Sequence, residues 1–335
     1  MKNAKQKLLS AKSILVVRTD RLGDMVLTLP LCKVIRETCT NAEISIIAGR
    51  YSEPLLENCP VIDASYFIDD NKGSISDIIK EKKFDAVFFP RPRFNECFAG
   101  FSSGIPLRIG TAYRYYSILM NHRVHDHRKT AEYHEAEYNT RLAASVLGIN
   151  VKTELVKPYI DGTTESLIKE LLIEKGMYEG HQFVVLHPGS GGSAYNWNAI
   201  RFGQLADAIS KKYALKIIIS GVESESSLCK IVQEKCPGAI NLCGVLNLKQ
   251  MIALLSQSRL MVSNSTGVLH IAAALDIPVI GIYPNSPHIS AKRWGPYNSK
   301  SFVVTPPHSN DSKYCDDMNL ISVDEVFKAV GTLLK

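Results

Sequence analysis

Short Val/Ile-rich runs alternate with amphipathic helical patterns almost throughout the chain, and this alternation restricts it to an α/β fold of parallel strands joined by right-handed crossovers. In the first half the strand patterns fall at 13–18, 43–48, 64–68, 84–89 and 106–110, and a helical segment from Glu132 to Leu147 closes that half. The second half restarts with strands at 183–187, 215–220, 239–242, 259–263 and 278–282, and helices near 198–211, 223–235, 247–257 and 266–275. At 335 residues the chain exceeds the size at which one core usually keeps growing, so the pattern reads as two Rossmann-like domains, 1–160 and 161–320. The stretch from Lys157 to Gln182, with Pro158, Gly162, Gly176 and Gly180 around one helix, reads as the linker. Pro30 interrupts the first helical pattern, which is then either kinked or begins near Thr28. Ser322-Val-Asp-Glu325 is a capping box opening a last helix within 321–335, whose apolar stripe needs a partner; the first domain is one candidate.

A balance of 39 Lys+Arg against 33 Asp+Glu leaves +6, which favours an acidic small-molecule or glycan partner but falls short of a nucleic-acid binder. Four lysines in Met1–Lys12 lead into an apolar run of only Ile14–Val17, too short for a secretory signal. The longest apolar stretch, Leu269 to Tyr283, is interrupted by Asp276 and Pro278 and is shorter than the roughly 20 residues a transmembrane segment needs. A cytoplasmic protein is expected. Cysteines at 32, 39, 59, 97, 229, 236, 243 and 315 form no Cys-x-x-Cys pair, so they read as buried small hydrophobes rather than zinc ligands or disulfides.

Two strand-to-helix turns carry the chemistry of the second half. Asn264-Ser-Thr-Gly-Val-Leu-His270 lies where an apolar strand gives way to a small-residue helix, and the free N–H groups of such a helix start attract phosphate. His187-Pro-Gly-Ser-Gly-Gly-Ser193 follows another apolar strand, and its glycines let a backbone approach a ligand closely. Together they suggest a diphosphate; tight packing between strand and helix is the plainer reading of either alone. Glu225, four residues after Gly221, is placed to accept from ribose hydroxyls or to act as a solvated acid at a helix start. His270 either donates to an anion or satisfies a buried carbonyl, and Trp197 reads as a core or hinge residue.

In the first half, strand 13–18 runs into Thr19-Asp-Arg-Leu-Gly-Asp24, and the carboxyl end of such a strand faces the ligand crevice of an open parallel sheet. Asp24 is the first choice for a general base, with a helix N-cap as the alternative; Asp20 reads as the ion-pair partner of Arg18 or Arg21. The chain lacks the Gly-Lys-Ser/Thr ending of a P-loop and the Gly-x-Gly-x-x-Gly of a dinucleotide site, so nucleotide hydrolysis and hydride transfer lose support. It also has no Asp-x-Asp to hold a divalent metal against a diphosphate.

Taken in order, Arg18-Thr-Asp-Arg-Leu-Gly-Asp-Met-Val-Leu-Thr-Leu-Pro30, His187-Pro-Gly-Ser190 with Trp197, Ser220-Gly221 with Glu225, and Ser263-Asn-Ser-Thr-Gly-Val-Leu-His270 with Ala272-Ala-Ala-Leu-Asp-Ile-Pro278 resemble glycosyltransferase family 9, the ADP-heptose:lipopolysaccharide heptosyltransferases. His134, in Tyr133-His-Glu-Ala-Glu-Tyr-Asn, also resembles a family position. The resemblance implies a GT-B fold, two Rossmann-like domains with parallel sheets facing across a cleft, and an inverting, metal-independent transfer that uses no cofactor. It implies Asp24 as general base and a donor site of Gly189, Ser190, Gly191, Ser193, Tyr195, Gly221, Glu225, Ser265, Thr266, Gly267 and His270. The implied partners are a nucleotide-sugar donor, ADP-heptose first, and an anionic glycolipid acceptor at the inner face of the inner membrane. Arg21, Arg91, Arg93 and Arg114 are the acceptor candidates, with Arg108, Arg123 and Arg128 in the same basic set. Two departures stand out: Tyr195 replaces a family lysine and Ser265 a family aspartate. Each removes a charge from the donor site, so the donor need not be ADP-heptose. A Rossmann oxidoreductase or epimerase and a non-catalytic sugar-nucleotide or glycan-binding module are the other classes to separate from a transferase.

Overall fold

The computed structural model describes residues 2–68, 75–178, 180–192, 195–307 and 316–334. The chain divides into two compact units, Met1–Val156 and Lys157–Lys335.

The first unit holds a six-stranded sheet in the order β3-β2-β1-β4-β5-β6. Its strands are β1 (Ser13–Arg18), β2 (Glu43–Gly49), β3 (Ala64–Ile68), β4 (Ala86–Phe89), β5 (Leu107–Thr111) and β6 (His122–Val124). All pairings are parallel, and β1 is central, with Val16 opposite Ile46 on one side and Phe88 on the other. Helices cover both faces of such a sheet, which is why β1 is buried along nearly its whole length and reads as a continuous apolar run. The chain moves outward from β1 through β2 to β3 and returns to β4 on the other side of β1. Ligands bind at the carboxyl ends of the strands flanking such a switch point, here β1 and β4.

The second unit repeats the plan. Its sheet, β12-β11-β10-β7-β8-β9, is built from β7 (Phe183–His187), β8 (Lys216–Ile219), β9 (Ile240–Asn241), β10 (Leu260–Asn264), β11 (Val279–Ile282) and β12 (Ser301–Val304), all parallel. The switch point lies between β7 and β10. Each sheet has one strand more than the sequence pattern indicated, β6 and β12. Both are short edge strands, and an edge strand needs no apolar residues on two faces, so its pattern is weak.

The first helical pattern is broken rather than kinked. Leu22–Val26 forms one short helix, and Leu29–Thr38 restarts it with Thr28 as N-cap. Pro30 falls in the first turn, where its missing N–H has no intrahelical partner to lose. The last helix, Val323–Leu333, is opened by the expected box, with the Glu325 N–H donating to Ser322 Oγ and the Ser322 N–H to Glu325. Its Val326, Ala329 and Val330 join Phe202, Leu205 and Ile209, so the core it completes is the second unit's own. Trp197 belongs to the same core and donates its indole N–H to the carbonyl of Ile321 at 3.0 Å. Six of the seven described cysteines are buried, while Cys243 is partly exposed and Cys315 lies outside the described residues. No described helix is long and apolar enough to cross a membrane.

The helices Ala199–Tyr213 and Ser226–Lys235 pack closely at Gly203, where an added Cβ would stand 2.5 Å from Lys235 Cβ and 3.0 Å from the Val232 carbonyl oxygen. The backbone has to move to admit it. Gly203→Ala is expected to destabilise the second unit by about 1–2 kcal/mol, the strain of overpacking exceeding the helix-propensity gain; a denaturant midpoint at or above that of the parent chain would contradict this close approach.

Candidate active site

At the switch point of the first unit the last residue of β1 is an arginine with almost no access to water. Arg18 is 2% exposed. Its guanidinium donates from Nε to Asp20 Oδ1 at 2.6 Å and from Nη2 to Asp20 Oδ2 at 3.1 Å, bonds Asp24 directly, and lies 3.7 Å from Glu135. Arg91, which follows β4, crosses the switch point to donate to Asp20 Oδ2 at 2.8 Å. Arg128 pairs with Glu135 and donates to Asn139 Oδ1 at 3.0 Å, while Asn139 Nδ2 donates to the Leu27 carbonyl at 2.8 Å. Three carboxylates thus surround one buried cation, and Arg91 and Arg128 balance the remainder.

The three acids are not equivalent. Burial works against ionising Asp20, but the guanidiniums of Arg18 and Arg91 outweigh it and lower its pKa. Asp24 goes the other way: burial, with Asp20 and Glu135 as negative neighbours, raises it above the ordinary aspartate range against the pull of Arg18. Asp24 also leaves 12% of its side chain exposed, against 4% for Asp20 and 1% for Glu135. Of the three it is the one a substrate can reach, and a raised pKa makes it the better proton acceptor. It lies inside the first turn of Leu22–Val26, whose N-cap is Arg21, so the capping alternative does not hold. Beside it, Thr19 donates to Glu96 at 2.6 Å, and Glu96 accepts from the Arg93 N–H at the start of the helix Phe94–Ser102.

In the second unit the loops after β7, β8 and β10 meet because those strands are neighbours. Asn264 is the clamp between them: fully buried, it donates to the Pro188 carbonyl at 2.6 Å and accepts from the Trp197 N–H at 2.9 Å, holding both ends of the glycine loop. Gly191 and Gly192 adopt φ of 54° and 71°, the left-handed region that glycine enters without strain. Glu225 is buried, not solvated; it accepts from the Gly191 N–H at 3.0 Å and the Val222 N–H at 3.0 Å. A Cβ at Gly189 would land on that carboxylate, so only glycine permits the approach. His187 hydrogen-bonds Ser220 Oγ at 3.0 Å through Nδ1, and its Nε2 lies 3.7 Å from Glu225. Burial lowers its pKa in spite of that neighbour, leaving a neutral imidazole. The helix Gly267–Ala274 starts after Thr266, whose side chain makes no capping bond, and the N–H groups of a first helical turn have no intrahelical acceptor. Among the described residues no group of three or more His, Cys, Asp or Glu could hold a metal ion.

Gly189, Ser190, Gly191, Gly221, Glu225, Ser265, Thr266, Gly267 and His270 therefore fall on these three loops or the helix start that follows them. Ser190, Ser265 and His270 are buried, Tyr195 is 57% exposed, and Ser193 lies outside the described residues. Of the arginines, Arg91 enters the ion network; Arg21, Arg93 and Arg114 are exposed on the same carboxyl edge of the first sheet. His134 is a buried N-cap, its Nδ1 accepting from the Ala136 N–H at 3.2 Å. Sequence reasoning gave no site role of their own to Glu135, Asn139 or Asn264, and read Arg128 only as one of the basic residues suited to an anionic acceptor. Asn264 carried a signal, a polar residue ending an apolar strand at the start of the 264–270 turn; the others lie more than 100 residues from Arg18, and no local pattern ties them to it.

Two six-stranded parallel α/β units of the same plan, each with its loops gathered at a switch point, are the GT-B fold. A sequence model of glycosyltransferase family 9 (heptosyltransferase) matches residues 74–320, and the chain belongs to that family. A Haemophilus influenzae protein named "Putative glycosyltransferase" is 28% identical, with 97% of each chain covered. Lipopolysaccharide heptosyltransferase 2 of Escherichia coli K12 is 25% identical over 87% of each. The solved structure of E. coli ADP-heptose lipopolysaccharide heptosyltransferase II superimposes with a TM-score of 0.80 at 20% identity, covering 96% of this chain and 98% of that one.

Arg18→Met is expected to lower stability by about 3–5 kcal/mol, because it leaves Asp20, Asp24 and Glu135 buried without their shared cation. Urea unfolding monitored by circular dichroism measures it; a loss under about 1 kcal/mol would mean that water, not Arg18, solvates the three acids.

Proposed function

We propose that this enzyme transfers a sugar, heptose from ADP-heptose first among candidates, onto the lipopolysaccharide core or a related anionic glycolipid at the cytoplasmic face of the inner membrane, with inversion and without a metal ion. The observation that carries the reading is Asp24, the reachable acid beside Arg18, whose raised pKa suits a general base. Named heptosyltransferases among the relatives and ADP-heptose in the name of a structural neighbour support the donor and acceptor classes. The acceptor hydroxyl gives its proton to the Asp24 carboxylate as its oxygen attacks the anomeric carbon. The bond from that carbon to the diphosphate oxygen breaks on the opposite face, which inverts the centre, and the bonding pair leaves with the nucleoside diphosphate.

In this reading the second unit carries the donor. Backbone N–H groups of the glycine loop other than that of Gly191, which Glu225 already accepts, and of the helix start at Thr266 and Gly267 meet the leaving charge, with Ser190, Ser265 and His270 beside them. Glu225 keeps lone pairs free beyond its two backbone bonds and accepts from the ribose, next to Gly221. Tyr195 and Ser265 bring no charge to the donor, so amides and hydroxyls hold the diphosphate. Arg21, Arg91, Arg93 and Arg114 attract the anionic acceptor.

Asp24→Asn should leave donor affinity within a few-fold while lowering turnover by roughly 100-fold or more. Release of nucleoside diphosphate in the presence of acceptor is the readout; retained turnover removes Asp24 from the chemistry, and donor binding without turnover in the parent chain makes it a binding module. A thermal-shift panel of ADP-, UDP-, GDP- and dTDP-sugars identifies the donor. A chelator should leave the rate unchanged, and the product should carry the anomeric configuration opposite to the donor's.

The pH dependence follows from the direction of the Asp24 shift. Only the ionised acid accepts a proton, so kcat/KM should fall as pH drops through the Asp24 pKa, at a pH above the ordinary aspartate range. An acid limb at or below that range would place the base elsewhere.

A further inference from the structure

The helix Phe94–Ser102 is inside out. A surface helix normally turns its apolar stripe inward; here Glu96, Cys97, Ala99 and Gly100 are the buried residues, while Phe94, Phe98 and Phe101, at i, i+4 and i+7, are 44%, 49% and 49% exposed. Gly100 makes the inward packing possible, since a Cβ there would already stand 3.0 Å from the Phe89 ring. The 3-10 turn Tyr115–Leu119 extends the same surface. Phe94 stacks on Phe98 at 5.9 Å and on Tyr115 at 6.3 Å, and Tyr115 and Ile118 are 85% and 78% exposed. Isolated exposed apolar side chains need no explanation, but a contiguous aromatic patch does.

The charge around it is one-sided. From Arg91 to Arg123 the sequence holds five arginines and a single acid, Glu96, which is buried and bonded to Thr19. Arg91, Arg93, Arg114 and Arg123 are exposed, and the Arg108 guanidinium lies over the Phe101 ring at 5.3 Å. Apolar rings rimmed by cations match an interface whose inner layer is apolar and whose surface is anionic, which is the chemistry of an acidic phospholipid bilayer. A second copy fits poorly: an isologous contact would set the same arginines against each other.

We propose that this face, Phe94, Phe98, Tyr115 and Ile118 within their arginine rim, docks on an anionic phospholipid membrane. The patch begins directly after the carboxyl ends of β4 and β5, the edge of the sheet where Asp24 lies, so docking brings the base to the height at which a lipid-linked hydroxyl is presented. The inference deepens the proposed function and rests on it for that purpose, but vesicle binding is read without any sugar transfer, so each can fail alone.

Flotation of the full chain with vesicles of phosphatidylglycerol and phosphatidylethanolamine, and with vesicles of phosphatidylcholine, is the test. Binding to the anionic vesicles should exceed that to the neutral ones by at least about tenfold and weaken at high salt. The triple substitution Phe98→Ser, Tyr115→Ser and Ile118→Ser, all at exposed positions outside the ion network, should lower it by about tenfold or more with an unchanged melting temperature. Tyr115→Trp supplies a second measurement, since its emission should shift to the blue on anionic vesicles and be quenched by brominated lipid. Equal binding to both vesicle types, unchanged binding of the triple variant, or an unshifted spectrum at position 115 would each overturn the proposal. So would a concentration-dependent dimer that the triple variant abolishes in a chain that does not float, which would give the face to a second copy.

Discussion

Ion pairing around Arg18 is the interaction on which the first unit depends. Taking a guanidinium out of water is costly, and a buried charge persists only where partners of opposite sign and well-formed hydrogen bonds replace the solvent. Here the partners come from separate elements: Asp20 from the turn after β1, Asp24 from the helix Leu22–Val26, and Glu135 from the start of the helix Glu135–Leu147. Arg91 ties in the segment after β4, and Asn139 hooks the Leu27 carbonyl. The network that holds these pieces together also sets the protonation of Asp24, because the field that lowers Asp20 leaves its neighbour as the acid with the raised pKa. The charges that stabilise this unit are therefore the same ones that set the proton affinity of Asp24.

The second unit uses the same topology with a different solution. Its switch point holds the buried acid Glu225 and a neutral histidine, and its loops are organised by bonds between side chains and backbone. Asn264 holds Pro188 and Trp197, and Glu225 holds Gly191 and Val222. A loop fixed in this way keeps its amides oriented before an anion arrives, and a preorganised donor loses less in binding than one that must first be ordered. In the proposed reading Tyr195 stands where the family has a lysine, and hydrogen-bond dipoles take the place of that one side-chain cation.

The aromatic face on the helix Phe94–Ser102 belongs to the same logic of position. Small residues, Ala99 and Gly100, let that helix lie close to the sheet, and the rings that would ordinarily fill such a gap turn outward instead. What the fold gives up in core burial at this helix it presents as surface at the carboxyl edge of the sheet.

Local pattern was enough for the sheet strands with two buried faces, for the break at Pro30 and for the Ser322 capping box, because apolar periodicity, proline geometry and capping are properties of a few consecutive residues. The turns at 187–193 and 264–270 and the acid at Asp24 were legible for the same reason: a strand end, a glycine and a polar residue lie side by side in the chain. Edge strands β6 and β12 were not, since a strand paired on one side needs no distinctive composition. Nor were the roles of Glu135, Arg128 and Asn139, which reach the Arg18 network from more than 100 residues away. The sequence determined that acids and glycine turns would stand at strand ends; only the tertiary structure decided which acid is ionised, which is reachable and which cation they share, because those depend on burial and on distances between charges that no local segment contains.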